Sequence, residues 1–231
     1  MDTRAHRPLR SYGRKKGHRL SPRQQRLFDE LLPRLRVDIA MPSPASVAGL
    51  FPNVADKVAL EIGFGAGEHL LWHARQAPRW GFIGCEPFLN GIAAILGRIE
   101  DTGTANIRLH DGDVRDLLEW LPDACFDRVF ILFPDPWPKK RHAKRRLVST
   151  AFLRGLARAM KPGAELRFAS DIPEYAAGAL IAARDSGAFE WTARSARDWR
   201  ERLPDWPQTR YEAKALAEGR KSTYLTFLRG P

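Results

Sequence analysis

The sequence is poor in cysteine. Only Cys85 and Cys125 occur in 231 residues, both inside apolar runs that read as strands. Buried free thiols in a reducing compartment are expected, and a disulfide-stapled secreted scaffold is excluded. No paired Cys or His spacing suggests a zinc site, so no metal is expected. No apolar run approaches the ~20 residues needed to cross a bilayer. The start, "MDTRAHRPLRSYGRKKGHRLS", is basic but lacks the apolar core of a signal peptide. Internal repeats and low-complexity tracts are missing too. Negative charge is also in short supply: 27 Asp and Glu face 38 Lys and Arg, for a formal charge of +11. Such a balance speaks about partners rather than fold. It favours nucleic acid or an anionic membrane surface. The expectation is a soluble cytoplasmic protein with no membrane segment, and no obligate protein partner is apparent.

The positive charge is clustered. Residues 1 to about 20 carry Arg4, Arg7, Arg10, Arg14, Lys15, Lys16 and Arg19 among Gly and Pro, which reads as a flexible arm that orders on a polyanion. "LSPRQQRLFDELLPRLRV" then predicts a helix, with Ser21 as N-cap, Pro22 at its first position, and Leu27, Leu31 and Leu32 on an apolar face. "AMPSPASVAGLFPN" is a loop-rich connector. Residues 1–45 are thus arm and helix, and 46–231 the main domain. From Lys57 onward short apolar runs alternate with helical spacing: "KVALEIGFG", "EHLLWHARQAP", "GFIGCEP", "LNGIAAILGRIEDTG", "NIRLHDGD", "DRVFILFPDPW". A helix, a Pro-Gly turn, the strand "AELRFASD", the helix "PEYAAGALIAARDSG" and a last strand "STYLTFLR" follow. This alternation predicts an α/β fold with a mainly parallel sheet.

"LEIGFGAGEH" puts Gly63, Gly65 and Gly67 at the end of the first strand. Glycines there allow a tight turn and close approach of a ligand, at the edge where open α/β sheets bind their ligands. Glu61 precedes the glycines. Glu86 ends the second strand, where a carboxylate would accept hydrogen bonds from ribose hydroxyls. Asp113 ends the third, within reach of an adenine amino group, with Asp111 as a competitor. The spacing is G-x-G-x-G, and Glu68 stands where the dinucleotide pattern has its third glycine. That acid, with Glu61 near, would repel a pyrophosphate at the helix start. A phosphate-free adenosine cofactor bearing an ammonium and a sulfonium would be welcome, and S-adenosyl-L-methionine fits that description.

"FPDPWPKKRHAKRR", from Phe133 to Arg146, sets Asp135 between two prolines, followed by Trp137 and six cations: Lys139, Lys140, Arg141, Lys144, Arg145 and Arg146. The acid reads as the group that handles a small piece of a polyanion whose backbone the cations hold. The cations are expected to favour its ionised form. Trp137 is placed to stack on a base or to plug the core beneath the turn. His69, His73 and His142 read as surface or packing residues. "PDWPQTRYEAKALAEGRK" suits a loop that closes on RNA.

With "EIGFGAGEHL", "GCEP", "FPDPWPKKRHAKRR", "ASDIPEY" and "TRYEAKA" in place, the sequence resembles the bacterial tRNA (guanine-N7-)-methyltransferases from about Ser11 to its end. The resemblance implies a Rossmann-like class I methyltransferase fold, with a seven-stranded, mainly parallel sheet and helices on both faces. It implies S-adenosyl-L-methionine as methyl donor and tRNA as partner, with methylation at N7 of a guanine in the variable loop (tRNA position 46). By matching position, Glu61, Glu86, Asp113 and Asp135 would be cofactor-side acids beside the glycines, and Asp135 the catalytic residue. Lys139, Asp171 and the segment Thr209, Arg210, Tyr211 and Glu212 would be substrate contacts. Two other classes remain open on the residues alone: a nicotinamide-dependent oxidoreductase on the same fold, and a non-catalytic RNA-binding protein.

Overall fold

The structure, a computed structural model, describes Gly13 and residues 17–231. The arm cations Arg4, Arg7, Arg10, Arg14, Lys15 and Lys16 lie outside the described residues. Among the described residues seven strands form one sheet in the order β3-β2-β1-β4-β5-β7-β6. They are β1 (Lys57–Ile62), β2 (Trp80–Cys85), β3 (Ile107–His110), β4 (Phe126–Leu132), β5 (Met160–Ser170), β6 (Phe189–Trp191) and β7 (Thr223–Arg229). β1 to β5 run parallel, and β7 pairs antiparallel with both β5 and β6. The α/β reading therefore holds.

The two faces of the sheet bury different residues because successive side chains on a strand alternate. Val58, Leu60 and Ile62 of β1 join a core under α5 (Val114–Trp120), α6 (Thr150–Ala159) and α7 (Pro173–Ser186). Ala59 joins the other core, under α3 (Glu68–Gln76) and α4 (Leu89–Thr102). Glu61 follows Ala59's parity, and this decides its fate below.

The helix predicted at Ser21 forms as α1 (Pro22–Glu30), with a complete capping box between Ser21 and Gln24. Leu31 interrupts it, because Pro33 cannot donate to the preceding turn. The chain resumes as the short α2 (Leu32–Leu35). Leu27, Leu32 and Leu35 pack into the α3–α4 core, and Arg23 and Arg26 both reach Glu100 of α4. The chain after α2 then covers the edge of β3, with Val37 N–H donating to the Leu109 carbonyl at 2.8 Å.

Three expectations need correction. The Pro162-Gly163 turn sits inside β5 rather than before it, where the register with β4 shifts between Phe126 and Arg128. The three-residue strand β6 has no counterpart in the sequence pattern; it is too short to show a period. The segment 204–221 is not all loop: it contains α9 (Arg210–Ala217), preceded by the four-residue α8 (Arg197–Arg200). Cys85 and Cys125 are both buried and free; burial pushes the Cys125 thiol up to about 12. Among the described residues no helix is long and apolar enough to cross a membrane.

Candidate active site

A cavity of about 410 Å³ opens at the carboxyl ends of β1 to β4. Its floor is the glycine loop. Gly63, Gly65 and Gly67 all adopt left-handed backbone, at φ +74°, +59° and +78°, a region that strains residues with a Cβ. Gly91 of α4 is a further requirement that spacing did not reveal. A Cβ there would stand 2.4 Å from the Gly65 carbonyl oxygen, so its absence lets α4 close against the loop. The available signal was a glycine in the first turn of a helix that otherwise needs none.

Glu86 ends β2 and is 8% exposed. Its carboxylate accepts from Gly65 N–H at 2.8 Å and from Phe88 N–H at 3.0 Å. One acid thus fixes the glycine loop and the entry to α4 while lining the cavity. Burial raises its pKa, and the two backbone hydrogen bonds oppose that rise. Asp113 caps α5, accepting from Arg115 N–H at 2.9 Å, and pairs with the Arg115 guanidinium at 3.2 Å. It also lines the cavity. Asp111, the competitor, pairs instead with Arg36 at 2.7 Å.

Asp135 lines the cavity from the far side and is exposed. Its pKa is raised, and the cause is desolvation by the surrounding protein. The expectation that the following cations hold it ionised is therefore corrected. The arginines are directed elsewhere: Arg146 Nε donates to the Pro136 carbonyl at 2.9 Å, and the Arg145 guanidinium lies 5.0 Å over the Trp137 ring. Phe133 and Trp137, each two residues from Asp135, take left-handed backbone at φ +48° and +43°. Both also line the cavity. Four of the six cations lie in a 3₁₀ helix, Lys140–Arg145, with Lys139 as its N-cap, without a side-chain cap bond, and Arg146 as its C-cap.

Not every expected residue reaches the cavity. Glu61 is 3% exposed on the α3 face of β1, where its carboxylate meets His69 Nδ1 at 2.7 Å. His69 in turn contacts His73 at 3.2 Å, and burial lowers the His73 pKa to about 2. These two histidines are packing residues, as their sequence context suggests. Glu68 pairs with Arg98 at 3.1 Å. Asp171, near the end of β5, pairs with Arg220 at 2.6 Å, and α7 takes Ile172 as its N-cap instead. Lys139 is exposed beside the site.

The segment from Thr209 divides. Thr209 caps α9 by accepting from Glu212 N–H at 3.2 Å. Glu212 is 2% exposed, takes the Tyr224 hydroxyl at 2.5 Å and pairs with Arg202 at 3.2 Å. Tyr211 lines the cavity, and Arg210 is exposed next to it. The structure thus brings together Gly63, Gly65, Glu86, Asp113, Asp135 and Tyr211. Apolar walls come from Ile62, Phe88, Val114, Phe133 and Leu147. Gly13 also lines the cavity. The chain after it is tied to α4 where Gly17 N–H donates to Asn90 Oδ1 at 2.8 Å. Among the described residues no group of His, Cys, Asp and Glu could hold a metal ion.

Comparison with known proteins gives a consistent picture. Residues 55–225 match a family model described as "Putative methyltransferase". A tRNA (guanine-N7-)-methyltransferase of Rhizobium meliloti (strain 1021) is 50% identical over 218 residues, covering 94% of each chain. The protein of the same name from Brucella melitensis biotype 1 is 48% identical over 218 residues, again 94% of each. Among solved structures, the 16S rRNA methyltransferase KamB superposes with a TM-score of 0.57 at 18% identity, over 77% of this chain and 89% of that one. At that identity the likeness concerns the fold alone.

Proposed function

This chain belongs to the tRNA (guanine-N7-)-methyltransferase family, and from that premise we propose that its cavity binds S-adenosyl-L-methionine and methylates N7 of a guanine in the variable loop of tRNA. The observation that carries the reading is the joint placement of the left-handed glycine loop, Glu86 across it, and Asp135 on the opposite wall of one cavity. The residues fit the donor. Three acids and apolar walls suit a ligand with an adenosine, an ammonium and a sulfonium, and suit a pyrophosphate poorly. When bound, the donor supplies a methyl group activated by its sulfonium.

The chain's own residues then divide the work. Gly63 and Gly65 let the backbone approach the donor closely, and Gly67 lets the loop pack on Ile95 of α4. Glu86 keeps lone pairs beyond its two backbone bonds and is placed to accept from ribose hydroxyls. Asp113 stands at the next strand end, placed for the adenine amino group. N7 of guanine carries a lone pair and no proton, so the protein need not supply a general base. What it must supply is alignment, which at best contributes about 7–11 kcal/mol, and compensation of the positive charge that grows on the base. Asp135 is placed for both: it accepts from the guanine N1–H and exocyclic amine and faces the charged ring. Lys139 and the exposed cations Arg141 and Lys144 hold the RNA backbone, with Asp171 and the Arg210 region flanking the substrate. Residues 46–231 carry the methyltransferase chemistry, α1 and α2 pack onto that unit, and the basic arm adds RNA affinity.

The test is to mix the protein with methyl-labelled S-adenosyl-L-methionine and an unmodified tRNA transcript and to map the labelled base. Label on N7 of a variable-loop guanine is expected. Label on another atom or base contradicts the site assignment. No label, with tRNA bound tightly by folded protein, would favour an RNA-binding protein without catalysis.

A further inference from the structure

Tyr211 stands in the first turn of α9 and is 49% exposed. An aromatic ring so exposed would be free to face solvent, yet it lies against the glycine loop. A Cβ built on Gly65 would be 3.0 Å from Tyr211 Cε2 and 3.6 Å from its hydroxyl oxygen. The same ring lines the cavity with Gly63, Gly65 and Glu86. The atoms nearest Gly65 are Cε2 and the hydroxyl oxygen, so the ring turns its edge and hydroxyl toward the loop, and the Arg210 guanidinium lies 5.5 Å over the ring.

The placement is imposed from beneath. Thr209 caps α9, and Glu212, one residue after Tyr211, is buried and held by Tyr224 and Arg202. Trp206, just before α9, is 1% exposed and packs edge-on to Tyr224 with ring centroids 5.4 Å apart, and to His69 at 6.4 Å. His69 is the partner of Glu61 under the glycine loop. The segment is therefore pinned to the loop's support from below, and Tyr211 meets the loop from above.

We propose that Tyr211 is a cofactor-binding residue. Its ring closes the cavity over Gly65, and its edge and hydroxyl contact bound S-adenosyl-L-methionine. The segment that the family resemblance gives to RNA thus serves the methyl donor as well. This rests on the donor assignment above. Removal of the ring opens the cavity to water over the glycine loop and removes an interaction whose geometry is already fixed, so little ordering entropy offsets its contribution.

The experiment is calorimetric titration of S-adenosylhomocysteine into wild-type, Tyr211→Ala and Tyr211→Phe protein without RNA, with melting temperatures measured alongside. Tyr211→Ala should raise the Kd about tenfold at an unchanged melting temperature, and Tyr211→Phe should raise it less than about threefold. In steady state, the KM for the methyl donor should rise more than the KM for tRNA. A Tyr211→Ala Kd within twofold of wild type overturns the proposal, whatever happens to tRNA affinity. Failure of the wild-type protein to bind S-adenosylhomocysteine would instead remove the donor assignment itself.

Discussion

Glu86 and Asp135 face one cavity from the strands on either side of β1, and they are held in different ways. Glu86 is buried, and both of its oxygens accept from backbone N–H groups, so it belongs to the scaffold. Asp135 is exposed on a turn stiffened by Pro134 and Pro136 and flanked by left-handed Phe133 and Trp137. Non-glycine residues in that region cost about 1 kcal/mol or more each. Burial raises the Glu86 pKa, its two hydrogen bonds oppose that rise and the Asp135 charge adds to it, whereas at the exposed Asp135 the rise comes from partial desolvation by the protein around the turn. The difference separates two tasks. An acid that shapes a binding loop is locked in place. The acid that we propose meets the reacting base is presented instead on a strained turn at the cavity.

Removing the Glu86 carboxylate should have the largest effect on cofactor binding. Glu86→Ala leaves two backbone N–H groups without their acceptor and should weaken S-adenosylhomocysteine binding about 100-fold. Calorimetry reads this directly, and an affinity within threefold of wild type would deny Glu86 its scaffold role.

Glu61 sharpens the contrast, since it is an acid of the same neighbourhood turned the other way. Glu61→Gln weakens a buried hydrogen bond to His69 and should lower unfolding free energy by about 1–3 kcal/mol. Its effect on cofactor affinity should be smaller than that of Glu86→Ala. Denaturant melts and titrations of both variants decide the matter; equal affinity losses would place Glu61 at the ligand.

The cations after Asp135 give the smallest effect. Lys144 and Arg141 are exposed, whereas Arg146 is committed to the Pro136 carbonyl and lies 4.9 Å over the Tyr175 ring. Replacing Arg141 and Lys144 with Ala should flatten the slope of log affinity against log salt by about 0.7–0.9 for each phosphate that is no longer neutralised. Arg146→Ala should lower the melting temperature instead. An unchanged slope in the double variant would mean that these cations touch no phosphate.

Much of this was legible in the residues. The period of the apolar runs carried the parallel sheet, and the glycine spacing carried the loop, because left-handed turns demand that residue type. Glu61, Glu86 and Asp113 were legible as acids at strand ends, and Asp135 as an acid on a stiff Pro-Asp-Pro turn; of these, Glu86, Asp113 and Asp135 line the cavity. What was not legible depended on parity and on distant partners. Glu61 lies one residue short of the end of β1, so the two-residue alternation of the strand turns it under α3. The pKa of Asp135 depends on how much protein surrounds it, and a run of nearby cations in sequence does not say where their side chains go. Gly91, Trp206 and the split roles of Thr209, Tyr211 and Glu212 all rest on packing between distant parts of the chain that no local pattern encodes.

The proposed role of Asp135 as a carboxylate acting on the guanine is tested by its pH dependence. Single-turnover methyl transfer, with donor and tRNA saturating, should be followed across pH for wild type and Asp135→Asn. The raised pKa sets the sign: the wild-type rate should fall as pH drops through a value above the ordinary aspartate range, as the carboxylate gains its proton. Asp135→Asn should be about 100-fold slower and lack that acid limb. A variant that turns over at nearly the wild-type rate, or that keeps the same limb, would contradict the account.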